Sequence, residues 1–326
     1  MFAATTLEPV QRLIAEDMAA VDKVIRRRLH SDVALIRQVS EYIINGGGKR
    51  LRPALVLLAA GACGYSGNAH YQLAAVIEFI HTATLLHDDV VDDSDLRRGQ
   101  ATANTLFGNP ASVLVGDFLY SRAFQLMVEQ NNLRVMEVMA GATNTIAEGE
   151  VLQLLNCHNP GVTEEDYLHV IHFKTAKLFE AAGQIGAIVS QARPEVELCL
   201  ARYGMHLGTA FQLIDDVLDY SGDHEQTGKN LGADLAEGKP TLPLIHAMRS
   251  GSAQQAGLIR GAVEHGGLHQ FEPVLAAIHD TGALDYTRRQ ASLESQRAME
   301  VVASLPHSSF RDSLLQLAAF AVSRSS

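Results

Sequence analysis

The chain of 326 residues carries 37 acidic against 26 basic side chains, a net charge of −11, and 47% of its residues are apolar. Such acidity argues against nucleic acid as a partner, because a polyanion is bound through a basic surface, while the apolar share suffices for a large core. Three cysteines, Cys63, Cys157 and Cys199, stand at no CxxC or metal-ligand spacing, which argues against a disulfide framework and fits the reducing cytoplasm.

The first stretch, "MFAATTLEPVQRLIAEDMAAVDKVIRRRL", has no basic segment ahead of an apolar run and reads as an amphipathic helix, not a signal peptide. Apolar residues then recur at three- and four-residue spacing in 33–44, 53–63, 74–88, 111–130, 135–155, 164–190 and 195–220. Breaks fall at Gly46–Gly48, Gly64–Asn68, Gly108–Pro110, Asn156–Gly161, Arg193–Pro194 and the long 221–240 segment. No run reaches the roughly 18 apolar residues that span a bilayer. Alternating strand patterns are nearly absent. The expectation is an all-α protein of ten or more helices in one domain, residues 1–326, whose last part is a packing subregion.

The run 74–88 ends in "HDDVVD", with Asp88, Asp89 and Asp92 at i, i+1 and i+4. A helix turns about 100° per residue, so Asp88 and Asp92 lie about 40° apart and Asp89 about 100° from Asp88. All three are expected to converge on one patch. The same spacing returns in "FQLIDDVLDY" as Asp215, Asp216 and Asp219, again after a strongly apolar run. Two facing carboxylate patches would make an oxygen-lined cage for Mg²⁺, which takes a few carboxylate oxygens together with water and phosphate. Asp93 and Asp95 get no ligand role; they are expected to be solvated or to partner arginines.

Basic residues stand at the breaks: "GGGKRLRP" (46–53), "LRRG" (96–99), Lys174, Lys229 and Lys239. Arginine and lysine beside such a cage point to a phosphorylated substrate. "GGGKR" is not a P-loop, since Ile43 stands where the first glycine is needed and Arg50 follows the lysine. A glycine-rich turn presenting Lys49 and Arg52 to a phosphate is the reading that stands.

At this point the chain resembles the trans-isoprenyl diphosphate synthases. The phrases that carry the likeness are, in order, "GGGKRLRP", "EFIHTATLLHDDVVDDSDLRRG", "GDFLYSRAF", "EGEVLQL", "KTAKLFEAA", "GTAFQLIDDVLDY" and "GKNLGADLAEGKPTLPLI". The resemblance implies an isoprenoid-synthase-type bundle around a deep central cavity, as a cytoplasmic homodimer. It implies two or three Mg²⁺ ions per site, held by Asp88, Asp89, Asp92, Asp215 and Asp219, with Asp216 and Lys174 also among the catalytic groups. Arg97, Lys174, Thr175, Gln212, Lys229 and Lys239 would contact the allylic diphosphate. Lys49, Arg52, His81 and Arg98 would contact isopentenyl diphosphate.

The implied reaction is head-to-tail addition of isopentenyl units to an allylic primer such as farnesyl diphosphate. Its product would be the octaprenyl (C40) chain of ubiquinone and menaquinone, with C45–C50 as the alternative and transient membrane contact for release. Small residues Ala83 and Thr84, one turn before Asp88, would leave the product tunnel open. Its floor would lie deeper, at Met127 and Met139, with Phe124 a further candidate. A class I terpene cyclase would not need the "GGGKRLRP" site, and a non-catalytic partner subunit would not keep both aspartate clusters intact.

Overall fold

The apolar runs fold as helices of the lengths their periodicity suggests. The structure is a computed structural model and describes residues 6–221 and 231–324. Its helices are α1 (Glu8–Leu13), α2 (Ala15–Arg28), α3 (Ala34–Asn45), α4 (Leu51–Ala62), α5 (Ala69–Val91), α6 (Ala103–Phe107), α7 (Asn109–Glu129), α8 (Leu133–Asn156) and α9 (Glu164–Ile171). There follow α10 (Lys177–Val189), α11 (Pro194–Ser221), α12 (Ala233–Ala236), α13 (Leu242–Ser250), α14 (Ala253–His265), α15 (Phe271–Asp280), α16 (Ala283–Val302) and α17 (Ser309–Ser323). The all-α expectation holds. None of the described helices is long and apolar enough to cross a membrane.

The helices that are apolar on most faces lie at the centre, as such a composition requires. Leu55 to Ala60 of α4 and Ala74 to Ile77 of α5 are almost wholly buried. α5 packs between α4 and α7, and α10 packs against α4, α5, α8 and α11. Beyond α11, residues of α13, α14 and α15 gather around a smaller apolar cluster that includes Leu244, Val263 and Ile278. α17 then returns to pack on α4, which carries the C-terminal residues back to the middle of the bundle.

Two local features depart from a plain helical reading. Leu96–Arg97 and Gln100–Ala101 pair as a two-stranded hairpin. Its turn residues Arg98 and Gly99 have φ of 54° and 73°, both in the left-handed region that a two-residue hairpin loop uses. The run 164–190 is also interrupted by a π-helical turn, His172–Ala176. Such turns leave no mark in apolar spacing, and they recur at functional sites.

α10 and α11 approach so closely that side chains are excluded between them. A Cβ on Gly183 would meet the Leu200 carbonyl, one on Gly204 would meet the Phe179 carbonyl, and one on Gly208 would stand 2.7 Å from Ala176 Cα. These contacts set the π-turn against the end of α11, where the second aspartate cluster lies. Gly204→Ala is therefore expected to destabilise by about 1–3 kcal/mol through overpacking. Gly257→Ala, in the exposed interior of α14 with nothing within 4 Å of the added carbon, is expected to stabilise by about 0.5–1 kcal/mol. Thermal unfolding of the two variants checks the opposite signs.

Candidate active site

Both aspartate clusters end long helices, the first at the C-terminus of α5 and the second in the last turns of α11. Asp88, Asp215 and Asp219 line a central cavity of about 780 Å³. Asp92 joins Asp88 in a recess of about 180 Å³ that shares Lys174, Thr175 and Gln212 with the larger space. The middle aspartates behave differently: Asp89 is 0% exposed and Asp216 is 1% exposed. The expected convergence is corrected for the first cluster, where Asp89 does not line the central cavity; in the second, Asp216 is buried yet still lines it beside Asp215 and Asp219. In the first cluster the roughly 100° step to the i+1 position carries the Asp89 carboxylate into the protein.

Asp89 Oδ1 accepts from Arg97 Nε at 2.8 Å and lies 2.7 Å from its Nη2. Asp89, expected as a metal ligand, is paired here with the hairpin arginine. Asp216 accepts from the Tyr167 hydroxyl and from Gln212 Nε2 at 2.8 Å. Burial, with Asp234 nearby, holds its carboxyl well above the usual carboxylate range.

The outer aspartates meet cations of the chain itself. Lys239 Nζ is 2.9 Å from Asp92 and also pairs with Glu237. Burial pulls this ammonium down, but Asp92, Glu237 and Asp234 outweigh it and hold it above its ordinary value. Lys174 Nζ stands 3.7 Å from Asp88, 2.5 Å from Glu150 and 2.6 Å from Gln153 Oε1. Arg324 Nη2 lies 2.7 Å from Asp215 and donates to the Phe211 carbonyl, with its guanidinium 3.7 Å from the Phe211 ring centre. Asp219 accepts from the backbone N–H groups of Ala233 and Asp234, each at 3.2 Å. Thr175 Oγ1 donates to Gln212 Oε1 at 3.1 Å beside them. Lys229 lies outside the described residues.

A second basic wall faces the same cavity. Lys49, Arg52, His81 and Arg98 all line it. Gly48 has φ of +143°, and a Cβ there would stand 2.7 Å from Arg98 Nη1; Arg98 also donates to the Gly47 carbonyl. The glycine run thus lets the hairpin arginine lie flat against the loop. Arg52 stacks 4.3 Å over the Phe179 ring and its Nη1 is 3.1 Å from His81 Nε2. Burial lowers Arg52 to about 10. Burial and then the arginines, Arg52 first, push His81 well below its ordinary value, so it is a neutral imidazole near pH 7. Arg50, at φ 49°, pairs with Glu78 at 2.9 Å. Asp93 and Asp95 are exposed, and Asp95 accepts from the Thr105 hydroxyl at 3.4 Å.

Below the carboxylates the cavity is bounded by Thr84, Leu85, Ile146 and Leu178. Thr84 is one turn before Asp88 on the same face, whereas Ala83 is wholly buried in the core and does not line the cavity. Met127 and Met139 are also fully buried in that core, and Phe124 packs against it. Met139 is two turns before Ile146 on α8 and is not among the residues lining the cavity.

The donor set suits a hard divalent cation: the cavity-facing ligand candidates are carboxylates, with no thiolate among them. Among the described residues no three His, Cys, Asp or Glu groups converge on one point. Ligation by Asp88, Asp92, Asp215 and Asp219 therefore needs oxygens from outside the chain, as Mg²⁺ ordinarily takes them from water and phosphate.

Sequence reasoning passed over Glu150, Gln153, Glu78, Tyr167 and Arg324. The first three lie inside quoted phrases and could have been found there. Arg324 is brought to the cavity only by the return of α17. The buried and the cavity-facing aspartates are expected to separate by measurement. Asp88→Ala removes most turnover while leaving the helical circular-dichroism signal intact. Asp89→Ala strips the partly buried Arg97 of its partner and lowers unfolding free energy by about 3 kcal/mol.

The comparisons agree along the whole chain. The Polyprenyl synthetase family profile matches residues 33–276. The octaprenyl diphosphate synthase of Escherichia coli (strain K12) is 57% identical over 98% of this chain and 99% of its own length. The all-trans-nonaprenyl-diphosphate synthase (geranyl-diphosphate specific) of Rhodobacter capsulatus is 48% identical over 95% and 96%. A polyprenyl synthase of Caulobacter crescentus CB15, solved with calcium and isoprenyl diphosphate, superposes with a TM-score of 0.97 at 43% identity over the full length of both chains. With the profile covering most of the chain and a relative more than half identical from end to end, the protein belongs to the polyprenyl synthetase family.

Proposed function

We propose that the protein is a prenyltransferase that adds isopentenyl units head-to-tail to an allylic diphosphate, farnesyl diphosphate by expectation, to make the C40 octaprenyl diphosphate. The observation that carries this reading is a single cavity bearing two basic walls and aspartates of both clusters above an apolar floor. One diphosphate would be held by Lys174, Thr175, Gln212, Arg97 and Lys239 beside the aspartates. The other would be held by Lys49, Arg52, His81 and Arg98. Two anions in one cavity are what a condensation of two diphosphates requires.

Two or three Mg²⁺ ions, held by Asp88, Asp92, Asp215 and Asp219, would spread the charge of the departing diphosphate. The chain's own residues do the rest. Lys174 and Arg97 offer donors to oxygens that gain charge as the allylic C–O bond breaks. Leu85, Leu178, Phe179 and Phe211 line the cavity with apolar surface, which keeps water from the allylic cation. Neutral His81 and the arginine wall orient the isopentenyl diphosphate so that its double bond faces that cation. The proton then released from the new chain goes to the departing diphosphate.

We also infer a homodimer acting in the cytoplasm as one domain per chain. α7 and α8 expose Leu114 (66%), Val128 (64%), Leu133 (74%), Leu154 (61%) and Leu155 (69%), apolar side chains that a second copy would cover. A long apolar product would need brief contact with a membrane to leave.

Product analysis of the purified enzyme with farnesyl diphosphate, isopentenyl diphosphate and Mg²⁺ tests the reading; a C40 chain is expected, and no consumption of isopentenyl diphosphate would refute it. Thr84→Phe, on the cavity wall one turn below Asp88, is expected to cut the product to roughly C15–C20 by blocking growth at about 5–6 Å below the site. An unchanged product distribution would show that the chain does not grow past Thr84.

A further inference from the structure

Lys174 is a flexible point charge on a four-carbon stem, and nothing in its own π-turn fixes where the ammonium points. Its two short contacts come from another helix. Glu150 at 2.5 Å and Gln153 at 2.6 Å stand one turn apart on α8, while Asp88 on α5 is farther, at 3.7 Å. The spacing of α8 from the π-turn is itself fixed. Gly149 carries no side chain where a Cβ would stand 2.6 Å from the Lys174 backbone nitrogen. Glu150 therefore meets the lysine at a set distance, and it lines the same cavity as Asp88.

We propose that Glu150, seconded by Gln153, is a positioning residue that holds the Lys174 ammonium at the allylic diphosphate and keeps it from closing onto Asp88. A lysine freed from α8 would be drawn toward the Asp88 carboxylate, the other anion within its reach. It would then be lost to the diphosphate and would crowd a carboxylate the site needs open. The inference rests on the reading of Lys174 as a ligand of the allylic diphosphate.

The test compares Glu150→Gln, Lys174→Gln and the double variant in steady-state kinetics with each substrate varied in turn. Glu150→Gln is expected to lower kcat/KM for the allylic diphosphate about tenfold, the scale of one hydrogen bond to a charged group. KM for isopentenyl diphosphate and the melting temperature should stay close to wild type. The double variant should match Lys174→Gln alone, because two groups acting through one contact are not additive. Glu150→Asp, which keeps the charge but shortens the reach, should recover part of the loss, and it carries the comparison if Glu150→Gln fails to fold.

An unchanged allylic kcat/KM, equal losses toward both substrates, or additive losses in the double variant would overturn the proposal while leaving the role of Lys174 standing. If Lys174→Gln itself spares the allylic substrate, the assignment of that subsite falls and the proposal falls with it. Binding of a non-hydrolysable allylic thiolodiphosphate, measured by calorimetry, should weaken in Glu150→Gln in the same proportion, which separates a positioning defect from slower chemistry.

Discussion

Carboxylates gathered around one cavity repel one another unless cations stand among them, and the architecture follows from that constraint. Each outer aspartate has a positive or donating neighbour supplied from a distant part of the chain. Lys174 lies near Asp88, Lys239 on Asp92 and Arg324 on Asp215, while the start of α12 donates to Asp219. Uncompensated charge would cost most at the part-buried Asp88 and Asp92 and least at Asp215, whose side chain is 43% exposed. The chain therefore routes three separate segments back to one point. Lys174 and Lys239 are among the cations proposed to hold a diphosphate, so on that reading two groups that stabilise the fold would also bind substrate.

The packing that allows this is as specific as the charges. Glycines at 183, 204 and 208 bring α10 and α11 into backbone contact, and Gly149 does the same for α8 and the π-turn. Helices that approach so closely leave little freedom for the residues they carry, which keeps Lys174, Gln212 and Asp215 in fixed relation. On the opposite wall Gly48 lets the Arg98 guanidinium lie against the loop. Burial first, and then Arg52 in contact with it, keeps the His81 imidazole neutral.

Much of this was legible before any coordinates. Helical spacing gave the all-α class, and the repeated i, i+1, i+4 aspartates gave the site, because both depend on a fixed turn per residue. The same arithmetic, carried one step further, would have placed Asp89 and Asp216 inside the protein and Thr84, not Ala83, on the cavity wall. What the pattern could not contain was long-range. The π-turn at His172–Ala176 leaves no mark in apolar spacing. Nothing near Arg324 in sequence hints that α17 returns to Asp215. Glu150 was overlooked for another reason: it lay within a recognised phrase, and only its distance from Lys174 gives it a task.

The central claim is that the outer aspartates of both clusters, and not the middle ones, hold divalent cations around a diphosphate. An anomalous-difference map from crystals grown with Mn²⁺ and a non-hydrolysable allylic diphosphate analogue addresses it most directly. The account predicts metal peaks within ligand distance of Asp88 and Asp92 on one side and of Asp215 on the other, with Asp89 still on Arg97 and Asp216 still on Tyr167. Metal bound by Asp89 or Asp216, or a diphosphate seated in the cavity without metal between the clusters, would contradict it.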